Sequence, residues 1–410
     1  MEACHVSSSL VPRLLAALLL LGTAGGLPTL AAADERATGP AASADLPEAR
    51  PAEVGVDPQK LTQLSEWIRE QKLDVRSFLV VKDDKLVFER YGDGLDRAYN
   101  YELYSVTKTV TSLVFGILAG EGKISPDDKI ATWILKAHPE FKDALKDKQD
   151  LELRHLLSMS SGLYYKQVEG TDPLYYSAPD RLQVALTTVA KVPPGTQFEY
   201  TDANPVLVGA AIATAAGEPE DKLAQERLFG PLGMKNNHWT GADQTGSVSG
   251  GWGLRLRAVD MAKLGVMMLH GGQWQGRQVV PQSWIERMST PFVVAKDYGY
   301  YCWINHIVET EPEFGAMGFK GQFITVLPKE NAVVVMTSIL PTDGGLRDAT
   351  YLNLYRHMVN DYVLPTMHGT VDTASAGSAE QALREELELS AKTRGVPGTA
   401  LAFNDGPEKK

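Results

Sequence analysis

Apolar residues recur at two spacings along this chain, and each spacing predicts a different kind of element. The stretch QKLTQLSEWIREQ has apolar residues three and four positions apart, as on one face of a helix, and Asp57-Pro58 just before it suit a helix start. The next stretch, SFLVVKDDKLVFERYG, has two apolar, β-branched runs on either side of Asp83-Asp84, which is typical of a β-hairpin. The pattern therefore predicts one helix followed by two paired strands.

The strand pattern returns towards the other end of the chain. From about residue 105 to about residue 270 the pattern is mostly helical, with long loops. Three strand-like stretches and a closing helix follow: YGYYCWI, GFKGQFITVLP, NAVVVMTSIL and LRDATYLNLYRHMVNDYV. We therefore predict an α+β fold whose antiparallel sheet is built from the N- and C-terminal strands and flanked by helices. The mostly helical middle is then a subdomain inserted beside the sheet.

The first 33 residues are typical of an export signal. Arg13 precedes the apolar residues 14–21, and Ala31-Ala32-Ala33 offers a cleavage site. The alternative is an uncleaved membrane anchor, because residues 14–33 carry no charge. Glycines and a proline between residues 22 and 28 interrupt the helix of about 20 residues that an anchor needs. We expect a periplasmic or extracellular protein, with N-terminal membrane anchoring as the alternative.

Composition divides the rest of the chain into three parts. Residues 34–50 are rich in Ala, Pro and small polar residues and predict a flexible lead. Residues 51–365 hold the predicted helices and strands and form the main domain. Residues 366–410 predict a weakly ordered tail that contains one short charged helical stretch, AEQALREELELSAK.

Charge and cysteine content narrow the partners. The net charge of -11 argues against a nucleic-acid partner, because phosphate binding needs a basic face. Cys4 and Cys302 are the only cysteines, so Cys302 is alone once the signal is removed. We then expect neither an internal disulfide nor a zinc site of the cysteine type.

The stretch YSVTKTVTSLVF holds candidate chemistry. Ser105 and Lys108 lie three residues apart at the start of an apolar helix, a spacing that places both on one helix face. A serine becomes a nucleophile when a base takes its proton, and the start of a helix leaves a backbone N–H unused for a developing anion. The alternative is a capping serine beside a solvated lysine.

Two further stretches offer groups that could act with this pair. Tyr200 follows a Pro-Gly turn and precedes another apolar helix, and its phenol can act as a base if nearby lysines stabilise the phenolate. Gly318 and Gly321 permit close backbone approach beside a strand, and the N–H of Gln322 is a candidate oxyanion donor opposite that of Ser105. The alternatives are a half-buried core tyrosine, which is the commoner case for a tyrosine taken alone, and two ordinary strand-edge glycines.

The three pieces, in this order, resemble the superfamily of serine beta-lactamases and penicillin-binding proteins. The branch resembled contains class C beta-lactamases, D-alanyl-D-alanine carboxypeptidases, beta-lactamase-like esterases and 6-aminohexanoate-dimer hydrolases. The similarity spans roughly residues 50–360. Three more segments are similar to that family: GEGKISPDDKIATWI, LRHLLSMSSGL and GGWGLRLRAVDMAKLGVMMLHGGQWQGRQVVPQSWI.

The resemblance implies a role for each matching residue. Ser105 would be the acylated nucleophile, Lys108 its partner in proton transfer, and Tyr200 the general base and acid. Whether Lys108 or Tyr200 takes the first proton stays open. The backbone amides of Ser105 and Gln322 would form the oxyanion hole. The chemistry requires no metal or organic cofactor.

Two departures from the family pattern concern substrate binding. Penicillin-active members usually carry Asn two places after the tyrosine, whereas this chain has Asp202 there and Asn204 two places further on. Their third motif is usually Lys-Thr-Gly, whereas this chain has Phe319-Lys320-Gly321. Strand alternation would turn Lys320 to the other face unless a bulge intervenes. These five residues are candidate substrate contacts, and so are Tyr164 and Trp252 in loops that line the cleft in relatives.

The resemblance therefore predicts hydrolysis of a small-molecule ester, amide or peptide through an acyl-serine intermediate. Carboxylic esters and small amides are the favoured substrates, because the two departures change residues that would bind the carboxylate and the lactam amide of a beta-lactam. The first alternative is a D,D-peptidase or beta-lactamase. The second is a non-catalytic protein that binds or senses penicillins or peptides. We assign His155, His270 and Asp260 structural roles, in packing, capping or bracing helices.

Overall fold

The computed structural model describes residues 45–166, 172–177, 179–369, 371 and 375–398, and the structural statements below concern these residues. The predicted export signal, residues 1–33, lies outside them, as do residues 34–44 of the predicted lead.

The longest strands of the described residues all lie in the main sheet. In chain order they are β1 (Val75–Lys82), β2 (Lys85–Tyr91), β3 (Asn100–Glu102), β4 (Leu163–Tyr164), β5 (Val189–Ala190), β6 (His238–Trp239), β7 (Leu254–Arg257), β8 (Gln273–Trp274), β9 (Arg277–Gln278), β10 (Trp303–Ile304), β11 (Phe314–Gly318), β12 (Gln322–Leu327) and β13 (Ala332–Ser338).

The α-helices of the same residues are joined by short 3-10 and π turns. In chain order they are α1 (Pro58–Glu70), α2 (Val106–Gly120), α3 (Ile130–Ala137), α4 (Leu153–Leu157), α5 (Arg181–Leu186), α6 (Ala203–Ala216), α7 (Glu220–Ala224), α8 (Ala258–Leu269), α9 (Gln282–Met288), α10 (Thr350–His357) and α11 (Ala376–Ser390).

The main sheet joins the two ends of the folded chain. Six antiparallel strands follow the order β10-β11-β12-β13-β1-β2. The N-terminal hairpin meets the C-terminal strands at the β1–β13 pair, where Val80 lies opposite Val334. The predicted α+β fold, with a sheet built from both ends of the chain, is confirmed.

Helices cover both faces of this sheet. The ring of Phe323 in β12 stacks on Tyr355 of α10 at 3.9 Å between centroids. The next residue, Ile324, lies against Gly265 of α8 on the other face, so close that a Cβ on that glycine would come within 3.0 Å of it. Successive side chains of a strand point to opposite faces, and both faces of this sheet are covered. Every residue of β12 and β13 is therefore buried, and their sequences are almost continuously apolar.

The helical part of the chain is organised around α2. This helix is buried from Val106 to Leu118 and packs against α6, α9 and β11. The apolar helix α6 packs in turn against α3, α4 and α5. Both helices are rich in apolar residues and mostly buried, which is the pattern of a helix surrounded by protein. The inserted helical part therefore buries the element that begins with the candidate nucleophile.

One predicted strand is interrupted in the structure. GFKGQFITVLP was expected as a single strand, but β11 ends at Gly318 and β12 begins at Gln322. The residues between them form a tight turn in which Lys320 and Gly321 have left-handed backbone angles, φ 64° and 99°. A Cβ on Gly321 would lie 2.2 Å from Ser338 Oγ, so close packing against β13 requires glycine here.

The structure confirms the predicted start of α1 and the first hairpin. The residues that were assigned structural roles also make the expected contacts. Asp57 caps α1 by accepting the N–H of Gln59 at 2.9 Å, and Asp83-Asp84 form the β1–β2 turn with positive φ. His155 accepts the N–H of Glu152 at the start of α4.

The other two structural assignments concern helix α8. Its end is marked by His270, whose Nε2 lies 2.5 Å from Asp84 Oδ1. Near its start, Asp260 accepts two hydrogen bonds from Arg257, at 2.7 and 2.9 Å. Both residues therefore brace the helix that covers one face of the sheet.

The C-terminal tail docks on the first helix. Within the stretch predicted to be weakly ordered, α11 forms where a short charged helix was expected, and it packs against α1. Glu386 of α11 accepts hydrogen bonds from Ser65 at 3.1 Å and from Arg69 of α1 at 3.1 Å. Burial lowers the pKa of Arg90 in β2 to about 10, and the charge of Glu386 opposes that effect. The tail thus supplies a counter-charge for two arginines, which local composition does not reveal.

We predict that Glu386→Ala destabilises the protein by about 3 kcal/mol, because it removes the carboxylate from a buried ion pair and leaves both arginines uncompensated. Urea unfolding followed by circular dichroism measures the difference. Glu388→Ala on the exposed side of α11 is the matched control and should change the stability by less than about 0.5 kcal/mol. Equal stabilities of the two variants would contradict the assigned role of the tail.

Candidate active site

Ser105 sits immediately before α2, on a strained piece of backbone. Tyr104 has a left-handed conformation, with φ 46°, which costs a non-glycine residue about 1 kcal/mol. The first hydrogen bonds of the helix start are donated by Val106, Thr107 and Lys108. The helix therefore makes no use of the Ser105 N–H, and the hydroxyl is half-buried at the positive end of the helix dipole.

The Lys108 side chain joins Ser105 to two other segments. Only 1% of this side chain is exposed. Its Nζ lies 2.8 Å from Ser105 Oγ, 2.9 Å from the carbonyl oxygen of Gly251 and 2.5 Å from Asp202 Oδ1. The alternative of a solvated lysine beside a capping serine is thus wrong, since the lysine is buried and bonded to the serine.

Tyr200 completes the group around the Lys108 ammonium. The centroid of its ring lies 5.1 Å from Nζ. The ring stacks on Trp303 at 6.0 Å and meets the edge of Tyr298 at 6.1 Å, so two buried aromatic side chains fix its position. The structure therefore brings together the three residues that the sequence proposed for catalysis.

The electrostatics of this group favour a fully protonated resting state. Burial alone would lower the pKa of Lys108, but the neighbouring Asp202 and Tyr200 reverse the effect and the pKa is raised. Burial raises the pKa of Tyr200, against the opposing influence of Lys108 and Ser105 and with a further rise from Asp202. Lys108 is an ammonium and Tyr200 a phenol at neutral pH, so one proton must leave the pair before either can act as a base.

Asp202 and Trp252 belong to a polar and aromatic wall beside the lysine. Asp202 pairs with Lys108 and also accepts a hydrogen bond from the hydroxyl of Tyr175, in the turn Pro173–Ser177. The Tyr175 ring packs on the buried Trp252 at 5.7 Å between centroids, and the Arg181 guanidinium lies 4.9 Å from the centroid of the Trp252 ring. Asp202 therefore binds Lys108 directly, whereas Trp252 packs against Tyr175 and does not contact the lysine in the described contacts.

A buried carboxylate holds the backbone on both sides of the site. Glu102 in β3 accepts the N–H of Tyr104 at 3.3 Å and the N–H of Gly253 at 3.2 Å. Its other oxygen pairs with Arg255 in β7 at 3.3 Å, and both side chains are less than a tenth exposed. The segment before Ser105 and the segment after Gly251 are thus tied to one side chain.

A second set of contacts holds the same loop, about one turn of α2 after Lys108. Thr111 lies 2.6 Å from Glu220 Oε1 and 2.8 Å from the carbonyl oxygen of Gly250. Burial raises the pKa of Glu220 to about 7. The loop that offers the Gly251 carbonyl to Lys108 is therefore held from the helix side as well.

The turn between β11 and β12 lies against Tyr104, the residue before Ser105, and the lysine of this turn is buried. Phe319 is half-buried and meets the ring of Tyr104 at 5.8 Å, edge to face. Lys320 is completely buried, with Nζ over the face of the Tyr104 ring at 5.3 Å. The expectation that strand alternation or a bulge decides the direction of Lys320 is wrong, because the residue lies in a turn. A buried lysine is poorly placed to contact a substrate.

Other candidate substrate residues have different surroundings. Asn204 is fully buried, and its amide binds Ser161 and Met159 rather than facing the group around Lys108. Tyr164 is 41% exposed in the small β4–β5 sheet, with Lys191 Nζ 3.4 Å from its ring centroid. The described contacts join neither residue to Ser105. The side chain of Gln322 binds the Phe319 and Ser338 carbonyls, which anchors the backbone proposed for the oxyanion hole.

Sequence reasoning missed Glu102, Tyr175 and Trp303. Glu102 carries a weak signal, because it is a carboxylate in the apolar stretch YELY just before Ser105. Its partner Arg255 is distant in sequence, and no spacing rule joins the two. Tyr175 lies in a turn and Trp303 in the strand-like stretch YGYYCWI, and neither pattern indicates that the two residues meet the group around Lys108, because that depends on tertiary packing.

Side chains able to hold a metal come together elsewhere. In the part of the chain that the structure describes, ligand atoms of Glu311, Glu330 and His368 lie within 4.8 Å of one another. Glu311 pairs with Lys329 at 3.0 Å, and His368 lies 3.1 Å from Glu330. Protein groups thus already balance these charges, and we assign no ion there. No helix of the described residues combines the length and apolar character needed to cross a membrane.

Comparison with known proteins defines the class. The family model described as Beta-lactamase matches residues 62–356, which is most of the chain, and the protein belongs to that family. The chain is 24% identical over 374 residues to the "Putative D-alanyl-D-alanine carboxypeptidase" of Escherichia coli (strain K12), covering 72% of this chain and 86% of that protein. The resemblance noted in the sequence is confirmed, and the protein is a beta-lactamase-related serine hydrolase.

Solved structures share the fold at low identity. The "Putative 6-aminohexanoate-dimer hydrolase from Bacillus anthracis" superposes with a TM-score of 0.62 at 21% identity, over 79% of this chain and 89% of that one. EstCE1, described as a hydrolase with promiscuous acyltransferase activity, gives a TM-score of 0.61 at 17% identity, over 75% of this chain and 99% of that one. Proteins with this fold are thus described with different activities, so the fold alone does not identify the substrate.

We predict that Glu102→Gln lowers kcat/KM for a p-nitrophenyl ester roughly tenfold, because losing the charge loosens the backbone on both sides of Ser105. The same change leaves Arg255 without its counter-charge and should cost about 3 kcal/mol of stability. Steady-state kinetics and thermal unfolding measure the two effects. Glu48→Gln, in an exposed ion pair with Arg97, is the control. Unchanged kinetics in Glu102→Gln would contradict the positioning role.

Proposed function

We propose that this protein hydrolyses a carboxylic ester or a small amide through an acyl intermediate on Ser105. The observation that carries the proposal is the bond of 2.8 Å from Lys108 Nζ to Ser105 Oγ, in a buried group that also contains Tyr200. A serine hydroxyl in contact with two titratable groups whose charges are coupled has the arrangement of an activated nucleophile.

The proposed reaction has two halves. In the first, Ser105 Oγ attacks the carbonyl carbon, its proton passes to the Lys108–Tyr200 pair, and that pair protonates the leaving alcohol or amine. In the second, water loses a proton to the same pair and attacks the acyl carbon. The acyl–Oγ bond then breaks, the pair returns the proton to Ser105 Oγ, and the acid is released. The backbone N–H groups of Ser105 and Gln322 would stabilise the oxyanion in each half.

Two features favour esters and small amides over beta-lactams. Lys320 is buried beneath Tyr104, so it is poorly placed to bind a substrate carboxylate. Asp202 replaces the usual Asn and binds Lys108, and a carboxylate can accept but not donate a hydrogen bond. The second candidate is a D,D-peptidase, which the similarity to the Escherichia coli protein favours.

We further infer that the protein is exported. This inference depends on residues 1–33, in which a positive charge is followed by an apolar stretch and then by small residues. That order is typical of a cleaved signal.

We predict that protein lacking residues 1–33 hydrolyses p-nitrophenyl acetate and butyrate and that Ser105→Ala abolishes this activity, with a loss of about 10³-fold or more. Intact-mass spectrometry should detect the acyl adduct on the parent protein and not on the variant. Nitrocefin and a D-Ala-D-Ala peptide serve as the competing substrates. Faster turnover of either than of the esters would favour the peptidase or beta-lactamase function, and an adduct without turnover would favour a penicillin-sensing protein.

We predict that Asp202→Asn shifts the rising limb of the pH profile of kcat/KM to lower pH. Asp202 raises the pKa of both Lys108 and Tyr200. Removing its charge therefore eases the loss of the proton that the pair must release, whichever residue then acts as the base. Asp150→Asn, at an exposed carboxylate, is the control. A limb that stays in place or moves to higher pH would show that Asp202 does not control the pair.

A further inference from the structure

The partly exposed surface around Ser105 is mostly aromatic. In the described part of the chain, Tyr104 precedes Ser105 and contacts Phe319, whereas Tyr200 and Asp202 contact Lys108 and Tyr175 contacts Asp202. All five of these side chains are half-buried. Tyr104 and Phe319 meet edge to face on the side of the β11–β12 turn. Tyr175 lies at Asp202 and Tyr200 at Lys108, and they pack on the buried rings of Trp252 and Trp303 respectively. A substrate that reaches Ser105 thus meets ring surfaces, which favour flat or apolar groups.

The cations that contact these rings are buried. Lys108, Lys320 and Arg181 lie over Tyr200, Tyr104 and Trp252 respectively, and none of the three is more than 5% exposed. Asp202 lies 2.5 Å from Lys108 Nζ and cancels its charge. The ammonium beside Ser105 therefore offers an incoming anion little net attraction.

We propose that the site selects uncharged substrates with an aromatic or other flat group and that Asp202 determines this selection. The inference rests on the proposed function and names its substrate class: neutral aryl esters and aryl amides, against substrates with a carboxylate near the scissile carbonyl. With asparagine in place of Asp202, the site would be one unit more positive in every ionisation state of Lys108 and Tyr200. The carboxylate thus removes an attraction for anions while it holds the lysine.

A matched pair of substrates separates this selection from the catalytic machinery. p-Nitrophenyl valerate and the mono-p-nitrophenyl ester of glutaric acid share a leaving group and have acyl chains of similar size, but the second carries a carboxylate. The ratio of their kcat/KM values on one enzyme at one pH cancels any general loss of activity. We expect the parent enzyme to prefer the neutral ester by tenfold or more, and Asp202→Asn to reduce that preference about tenfold at low ionic strength.

Two controls accompany the ratio. Asp150→Asn removes an exposed carboxylate outside the site and should leave the preference unchanged. Phe319→Leu removes a ring but keeps an apolar side chain, and should raise KM severalfold more for phenyl acetate than for ethyl acetate. An equal ratio in the parent enzyme and in Asp202→Asn would overturn the assignment of Asp202. An unchanged phenyl acetate KM in Phe319→Leu would overturn the aromatic preference.

Failure of the proposed function is distinguishable from failure of this inference. If neither ester is hydrolysed, the proposed function fails, and the selection is then measured by binding. Phenylboronic acid and 4-carboxyphenylboronic acid bind serine hydrolases at the nucleophile, and isothermal titration gives their dissociation constants. We expect the parent protein to prefer the neutral acid about tenfold and Asp202→Asn to lose most of that preference. Equal binding of both acids by the parent protein would overturn the inference.

Discussion

An ammonium group whose side chain is 1% exposed has lost most of its hydration, and an unpaired charge in such a place costs several kcal/mol. Lys108 avoids that cost through Ser105 Oγ, the Gly251 carbonyl and Asp202. These acceptors come from the start of α2, the loop before β7 and the start of α6. Because one cation needs all three, its charge sets their relative positions, and the orientation of the nucleophile depends on the electrostatics of a single buried group.

The same carboxylate that stabilises Lys108 also constrains its chemistry. Asp202 raises the pKa of Lys108 and of Tyr200, so the resting pair keeps both protons. An asparagine at this position would leave the lysine easier to deprotonate and the site more positive. In the proposed reaction, the departure from the usual family residue would link two properties, the pH range of activity and the charge of the preferred substrate, through one ion pair.

Local chemistry was sufficient for several of the predictions that held. The spacing of Ser105 and Lys108 on one helix face, the cap at Asp57 and the turn at Asp83-Asp84 each depend on residues close in sequence. The single strand expected across Phe319-Lys320-Gly321 was wrong, because left-handed turn conformations leave no trace in apolar alternation. The docking of α11 was missed for a related reason: its counter-charges lie on α1 and β2, more than 290 positions away along the chain.

The sequence by itself determined the α+β class, the sheet built from both ends and the identity of the buried helix that starts at Ser105, because hydrophobic periodicity and helix spacing are properties of neighbouring residues. Only the tertiary structure decided which charges meet. It places Asp202 on Lys108, Glu102 between Tyr104 and Gly253, and Lys320 beneath Tyr104. Burial and ion pairing depend on segments that are far apart along the chain, so the charge state of the site follows from the packing of the folded protein.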